Sequence, residues 1–189
     1  SNYMPDNPMD TASLLVTGAT KLNVSATGGN TIGTGSANNT ITLASGLKNF
    51  VTMAPDPGLA NMDMDTVSGS VTATGGTVNT ERSATTANGV MNGSTDEIGG
   101  VLTMNSLNLN VTATGAKLTG TTRKDKTSAV GLEQTGGRTN YGSTSLTITG
   151  PATLNVTATG AEPVDNGSLA KTVTKAEGLN IAGSGSEAY

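Results

Sequence analysis

The side chains best equipped for chemistry in this chain are a few carboxylates. Asp56, Asp63 and Asp65 lie together in the stretch Pro55–Asp65 (PDPGLANMDMD). On an extended strand Asp63 and Asp65 share one face, with Asn61 beside them, while Met62 and Met64 point the other way. Oxygen ligands offered from a loop suit Ca²⁺. Asp56, Asp63 and Asp65 are therefore candidate ligands for a structural calcium, and a polar strand edge is the plainer reading. Asp96-Glu97 is a weaker second cluster. The chain has no His and no Cys. That removes the commonest general base, thiol nucleophiles, zinc and iron–sulfur sites, and any Ser-His-Asp triad. Ser45-Gly-Leu-Lys48 and Ser168-Leu-Ala-Lys171 match Ser-x-x-Lys, but the chain lacks the partner motifs Lys-Thr-Gly and Ser-Asp-Asn. No glycine-rich stretch has phosphate-loop spacing. The expectation is a protein that is not an enzyme, with no cofactor other than that calcium.

Asn and Thr invite two further readings. Asn23, Asn38, Asn92, Asn110, Asn155 and Asn166 each begin Asn-x-Ser/Thr and are candidate glycosylation sites. A chain this rich in Asn, Ser and Thr reaches that number by chance. The pairs Thr72/Thr74, Thr112/Thr114 and Thr157/Thr159 resemble the Thr-x-Thr rows on flat β-solenoid faces that bind ice, although their spacing along the chain is far wider than such rows use. A net charge of −4 argues against nucleic acid as a partner. Arg123-Lys124-Asp125-Lys126, the densest basic stretch, reads as a solvated turn. No apolar run approaches the ~18 residues of a spanning helix, so membrane insertion is not expected.

The elements that carry these residues repeat. Leu22–Gly29 (LNVSATGG), Ser70–Gly76 (SVTATGG), Leu109–Ala116 (LNVTATGA) and Leu154–Ala161 (LNVTATGA) share one pattern. Ala26, Ala73, Ala113 and Ala158 set spacings of 47, 40 and 45. Ser13–Gly28 and Ser145–Gly160 match over their whole length without a gap. A unit of about 44 residues, present four times, accounts for this. Within each unit Leu, Val and Ala alternate with Asn and Thr, as in a half-buried strand. Val71–Val78 (VTATGGTV) reads as a hairpin about Gly75-Gly76. Further strands are expected at Ser13–Thr17, Asn39–Ala44, Asn49–Met53, Val101–Met104, Ser145–Thr149 and Lys171–Lys175. Gly29–Asn39, Thr85–Gly100 and Gly120–Ser143 read as loops.

Thr and Val favour strands, Gly and Asn favour turns, and strong helix formers are scarce. The fold class is all-β. Long polar excursions between strands favour a single β-sandwich or jelly-roll-like domain. The alternative is a parallel β-solenoid in which each unit forms two rungs of ~22 residues. With one Phe, three Tyr and no Trp, the core must be thin. Residues 13–182 form the repetitive domain, 183–189 a C-terminal tail, and 1–12 an N-terminal arm. An arm ahead of the apolar segment Leu14-Leu15-Val16 is built for donation to a neighbour's sheet edge, which makes those three residues candidate assembly contacts.

The Thr/Ala/Gly/Asn bias, the missing Cys, His and Trp, and the strings LNVTATGA and LTITG resemble the β-repeat regions of prokaryotic surface proteins: S-layer proteins, adhesins and extracellular filament subunits. The calcium-binding nonapeptide of some such families is missing. The resemblance implies an extracellular or cell-surface structural subunit of a pilus-like filament or surface layer, its partners being copies of itself joined by β-strand addition. The alternatives are a virion decoration or fibre protein, and a carbohydrate- or ice-binding module.

Overall fold

The computed structural model describes residues 11–30, 39–51, 59–79, 82–94, 100–119, 124–136, 144–163 and 171–183. They trace four coils. The first holds β1 (Thr11–Thr27) and β2 (Asn39–Val51). The second holds β3 (Leu59–Thr74), β4 (Thr77–Val78) and β5 (Arg82–Ser94). The third holds β6 (Gly100–Thr114), β7 (Lys117–Leu118) and β8 (Lys124–Gly136). The fourth holds β9 (Ser145–Ile148), β10 (Ala152–Thr159), β11 (Glu162–Pro163) and β12 (Lys171–Gly183).

The chain is all-β, as its propensities require. Each strand pairs with its counterpart in the next coil, and every pairing is parallel. One sheet runs β1-β3-β6-β10, with β9 also on β6; a second runs β2-β5-β8-β12; a small third, β4-β7-β11, lines the corner between them. The two large sheets lie face to face, as the layers of a sandwich do. Parallel pairing between successive coils makes the architecture a flattened parallel β-solenoid. Each repeat unit forms one long coil, where the solenoid alternative expected two short rungs. Gly75-Gly76 is a corner and not a hairpin: β4 pairs with β7 and turns away from β3.

Like residues stack on like. Val24, Val71, Val111 and Val156 form one inward column, and Ala26, Ala73, Ala113 and Ala158 the next. Met62, Leu102 and Met104 fill the far end of this sheet and are almost wholly enclosed. The inward set of β3 runs Met62, Met64, then Val67, so Asp65-Thr66 shifts the phase of the alternation by one position.

The second sheet carries its own repeat: Ala44-Ser-Gly-Leu47, Ala87-Asn-Gly-Val90, Ala129-Val-Gly-Leu132 and Ala176-Glu-Gly-Leu179. Its glycines receive the valines of the first sheet. A Cβ on Gly46 would come within 3.1 Å of Val71 Cγ2, one on Gly89 within 3.1 Å of Val111 Cγ2, and one on Gly131 within 2.9 Å of Val156 Cγ2. Each valine belongs to the coil after its glycine. The stretches Thr85–Gly100 and Gly120–Ser143, expected as loops, contain most of β5 and β8, the central strands of this sheet.

A polar column closes the far end. Asn49 Nδ2 donates to Asn92 Oδ1 at 2.9 Å, and Asn92 Nδ2 donates to Gln134 Oε1 at 2.9 Å. The same amides tie down the carbonyls of Asn61 (2.8 Å), Ala60 (2.9 Å) and Gly100 (2.9 Å), stitching the second sheet to the chain entering the first.

Gly89→Ala should lower the unfolding free energy by about 1–3 kcal/mol, the range for overpacking a filled site, because the new methyl meets the Gly131 carbonyl and Val111. Gly29→Ala, with open space around it, should be close to neutral. Urea denaturation of both variants checks the pair, and equal midpoints would refute the packing account.

Candidate functional site

Asp63 and Asp65 lie on the outer face of β3, with Met62 and Met64 buried behind them, as the alternation predicts. Asp65 is already engaged: Asn105 Nδ2 donates to its Oδ1 at 2.6 Å, and Asn105 Oδ1 accepts from Thr149 Oγ1 at 3.0 Å. Asp56 lies outside the described residues. Among the described residues there is no group of three or more His, Cys, Asp or Glu side chains placed to hold a metal.

The candidate glycosylation sites divide. Asn23, Asn110 and Asn155 share one exposed row on the outer face of the first sheet, and Asn155 Nδ2 donates to Asn110 Oδ1 at 2.9 Å. Asn92 is fully buried, its amide committed to the polar column. It is closed to modification in the folded chain. Asn38 and Asn166 lie outside the described residues.

The threonine pairs stack as continuous rows. Ser25, Thr72, Thr112 and Thr157 are in register, and so are Thr27, Thr74, Thr114 and Thr159. Since one coil consumes a whole unit, residues one repeat apart in sequence sit on neighbouring strands about 4.8 Å apart. The sequence spacing that argued against a regular face has no spatial counterpart. Beside these rows runs a groove of about 440 Å³ lined by Gly28, Gly75, Gly115, Asn30, Lys117 and Glu162, among others.

Leu14, Leu15 and Val16 belong to β1, which starts at Thr11, and pair in register with Met62, Asp63 and Met64 of their own chain. Leu14 and Val16 pack on the core, while Leu15 is 69% exposed. This segment forms the edge of its own first coil. Residues 1–10 of the expected arm lie outside the described residues.

No protein-family model matches the chain, and neither a curated protein nor a solved structure matches it.

Sequence reasoning passed over one buried carboxylate. Asp125 lies in β8, in the stretch read as a solvated turn, and is 2% exposed. It accepts hydrogen bonds from the hydroxyls of Ser83 and of Thr127, the latter at 3.2 Å. Burial pushes its carboxyl above the ordinary 3.8, and the two hydroxyls pull it part of the way back. On the outer face of the same sheet, burial and then the charge of Glu177 push Glu133 up, against Lys175 and Lys48. The Lys175–Glu177 pair at 2.5 Å is partly exposed, and such a pair contributes little.

Because folded Asp125 keeps its proton to higher pH than unfolded Asp125, the unfolded chain binds fewer protons between the two values. Its contribution to stability therefore falls as pH rises through the window that opens near 3.8. Asp125→Asn, which can still accept from Ser83, should flatten this slope and raise the melting temperature at pH 7. Melting curves at several pH values for both chains check it; parallel curves would show that Asp125 carries no such linkage.

Proposed function

We propose that the protein is a structural subunit that assembles with copies of itself through the open edges of its β-solenoid, in an extracellular fibre or surface layer. One observation carries this reading. Among the described residues nothing pairs with the outer edges of β1 and β2 or with those of β9, β10 and β12. Leu179 and Ile181, which face the interior columns, are each 53% exposed, whereas their counterparts Leu132 and Gln134 are fully covered. A solenoid needs capping coils with polar ends to remain single, and unblunted edges recruit further strands. The two end coils of this chain have apolar interior columns instead. Leu14–Val16 pairs within β1 of its own chain, so this reading uses the open edges of the end coils as the assembly surfaces. The low charge and the absence of His and Cys fit a scaffold outside the cell, as the resemblance to surface β-repeat proteins also implies.

Sedimentation velocity and electron microscopy of the full chain over rising concentration test this. Fibres or sheets, with a sedimentation coefficient that grows with concentration, are expected. A monodisperse monomer at high concentration would overturn the reading.

The stacked Thr rows favour a second reading, in which the outer face of the first sheet binds ice or carbohydrate. It expects thermal hysteresis, or sugar binding, that falls when Thr112 is replaced by Lys. Flat hysteresis and an empty glycan screen would end it.

A further inference from the structure

The end coils match one another better than either matches its neighbour. From Val24 to Ala44 the numbering advances by 20, and from Val156 to Ala176 again by 20; the corresponding steps are 16 from Val71 to Ala87 and 18 from Val111 to Ala129. Residues 13–51 and 145–183 therefore align at one constant displacement through both large sheets.

Both end coils also carry one extra residue at the equivalent point. In β1 Thr17-Gly18 opposes the single residue Asp65, and Gly18 takes a φ of +92°, which suits glycine. In coil 4 Thr149-Gly150-Pro151 opposes Asn105-Ser106, and the consecutive amides of Thr149 and Gly150 both donate towards β6. The middle coils pair with each other at this point without an extra residue.

The glycine column is incomplete at one end. A Cβ on Gly46 would meet the Gly89 carbonyl, and one on Gly131 the Gly178 carbonyl, besides the valine of the following coil. Gly178 ends the series, and among the described residues nothing lies within 4 Å of its Cβ position.

From these three features we infer that coil 4 of one copy receives coil 1 of the next. The junction is parallel, in the register set by that constant displacement, with bulge on bulge and Val24 of the next copy over Gly178. This deepens the assembly reading above and rests on it. Such a contact joins two different surfaces and repeats along the solenoid axis, so it extends into an open filament and not a closed ring. Four coils per copy give an axial rise of about 19 Å at ~4.8 Å per strand.

The full chain has no cysteine, so introduced thiols report the register. In Ser25→Cys/Thr157→Cys the two thiols are three strands apart within a chain, about 14 Å and beyond disulfide reach, but directly opposed across the proposed junction. Oxidation should give a ladder of covalent multimers, with none from either single variant. Ladders from a single variant, or from Ser25→Cys/Thr153→Cys in preference, would overturn the register. Gly178→Val should melt like the parent chain and lose assembly, since its side chain would collide with Val24 and the Gly46 carbonyl of the next copy. Undiminished assembly would overturn the junction. A parent chain that never assembles defeats the underlying assembly reading; one that assembles with a different axial rise defeats only this junction.

Discussion

Everything in this molecule depends on the parallel, in-register ladder between coils. Strands about 4.8 Å apart place each residue directly beside its counterpart in the next coil, so every position must tolerate its own repetition. Valine on valine, alanine on alanine and threonine on threonine satisfy that condition. A column of like charges does not, because the repulsion recurs at every step. The low charge content, 13%, follows from this. Where charges occur in the ladder, the column is usually mixed: Lys117 pairs with Glu162, and Glu133 lies between Met91 and Asn180. Arg82, Lys124 and Lys171 form an exception, three cations in register at the entry to the second sheet, Lys124 one residue before the buried Asp125.

The same ladder explains how so thin a core holds two sheets together. Large rings are nearly absent, so packing comes from interlocking: valines of one sheet enter the glycine positions of the other, and Gly75 and Gly115 sit against the hydroxyls of Thr85 and Thr127. At the far end apolar filling gives way to amides. Asn and Gln each carry donor and acceptor, so a stack of them satisfies itself along the solenoid axis and has donors left for backbone carbonyls. Partly satisfied columns are costly, so the amide column binds three coils into one cooperative unit. It ends at Ile181 in coil 4, the coil whose interior is half open.

The first sheet was legible because it alternates strongly. Leu109-Asn110-Val111-Thr112-Ala113 announces a strand and its buried face, and Met62 and Met64 were placed inward correctly. The second sheet was legible only at its edges, where the strands expected at Asn39–Ala44, Asn49–Met53 and Lys171–Lys175 fall on β2 and β12; its central strands β5 and β8 read as loops, although Ala-x-Gly-Leu/Val recurs along the sheet. Besides Leu47, Val90 and Leu132, its inward residues are Thr, Ala, Gly, Asn and Gln, which read as loop composition when judged singly. They become core residues only because another sheet's valines press on them. Gly75-Gly76 looked like a hairpin because two glycines between β-formers are compatible with either a reversal or a corner. The deciding information is the pairing of β4 with β7, a whole coil away, which local pattern does not contain. The candidate sites were legible as residue types and much less as surroundings: Asn92 fell in a stretch read as a loop and Asp125 in one read as a turn, and both are buried.

A solenoid held by neighbour-to-neighbour contacts is least stable where a coil has one neighbour instead of two. Coils 2 and 3 bury their interior columns fully, while Leu154, Val156 and Ala158 of coil 4 and Val24 and Ala26 of coil 1 remain half exposed. A capped protein would place unpaired charge or proline along such edges; the charges Lys175 and Glu177 of edge strand β12 pair with each other. Here Pro151 directs its carbonyl to Leu107, so it faces inward and leaves the outer edge of coil 4 unblocked. The bulges act more selectively. A strand with an extra residue at one position pairs along its full length only with a strand that slackens at the same point. Any other partner must absorb the mismatch, as β3 and β6 do within the chain with the help of the Asp65-Thr66 and Asn105-Ser106 phase shift. An open edge of this kind discriminates between partners, and the partner whose bulge and corner lengths both agree with coil 4 is coil 1.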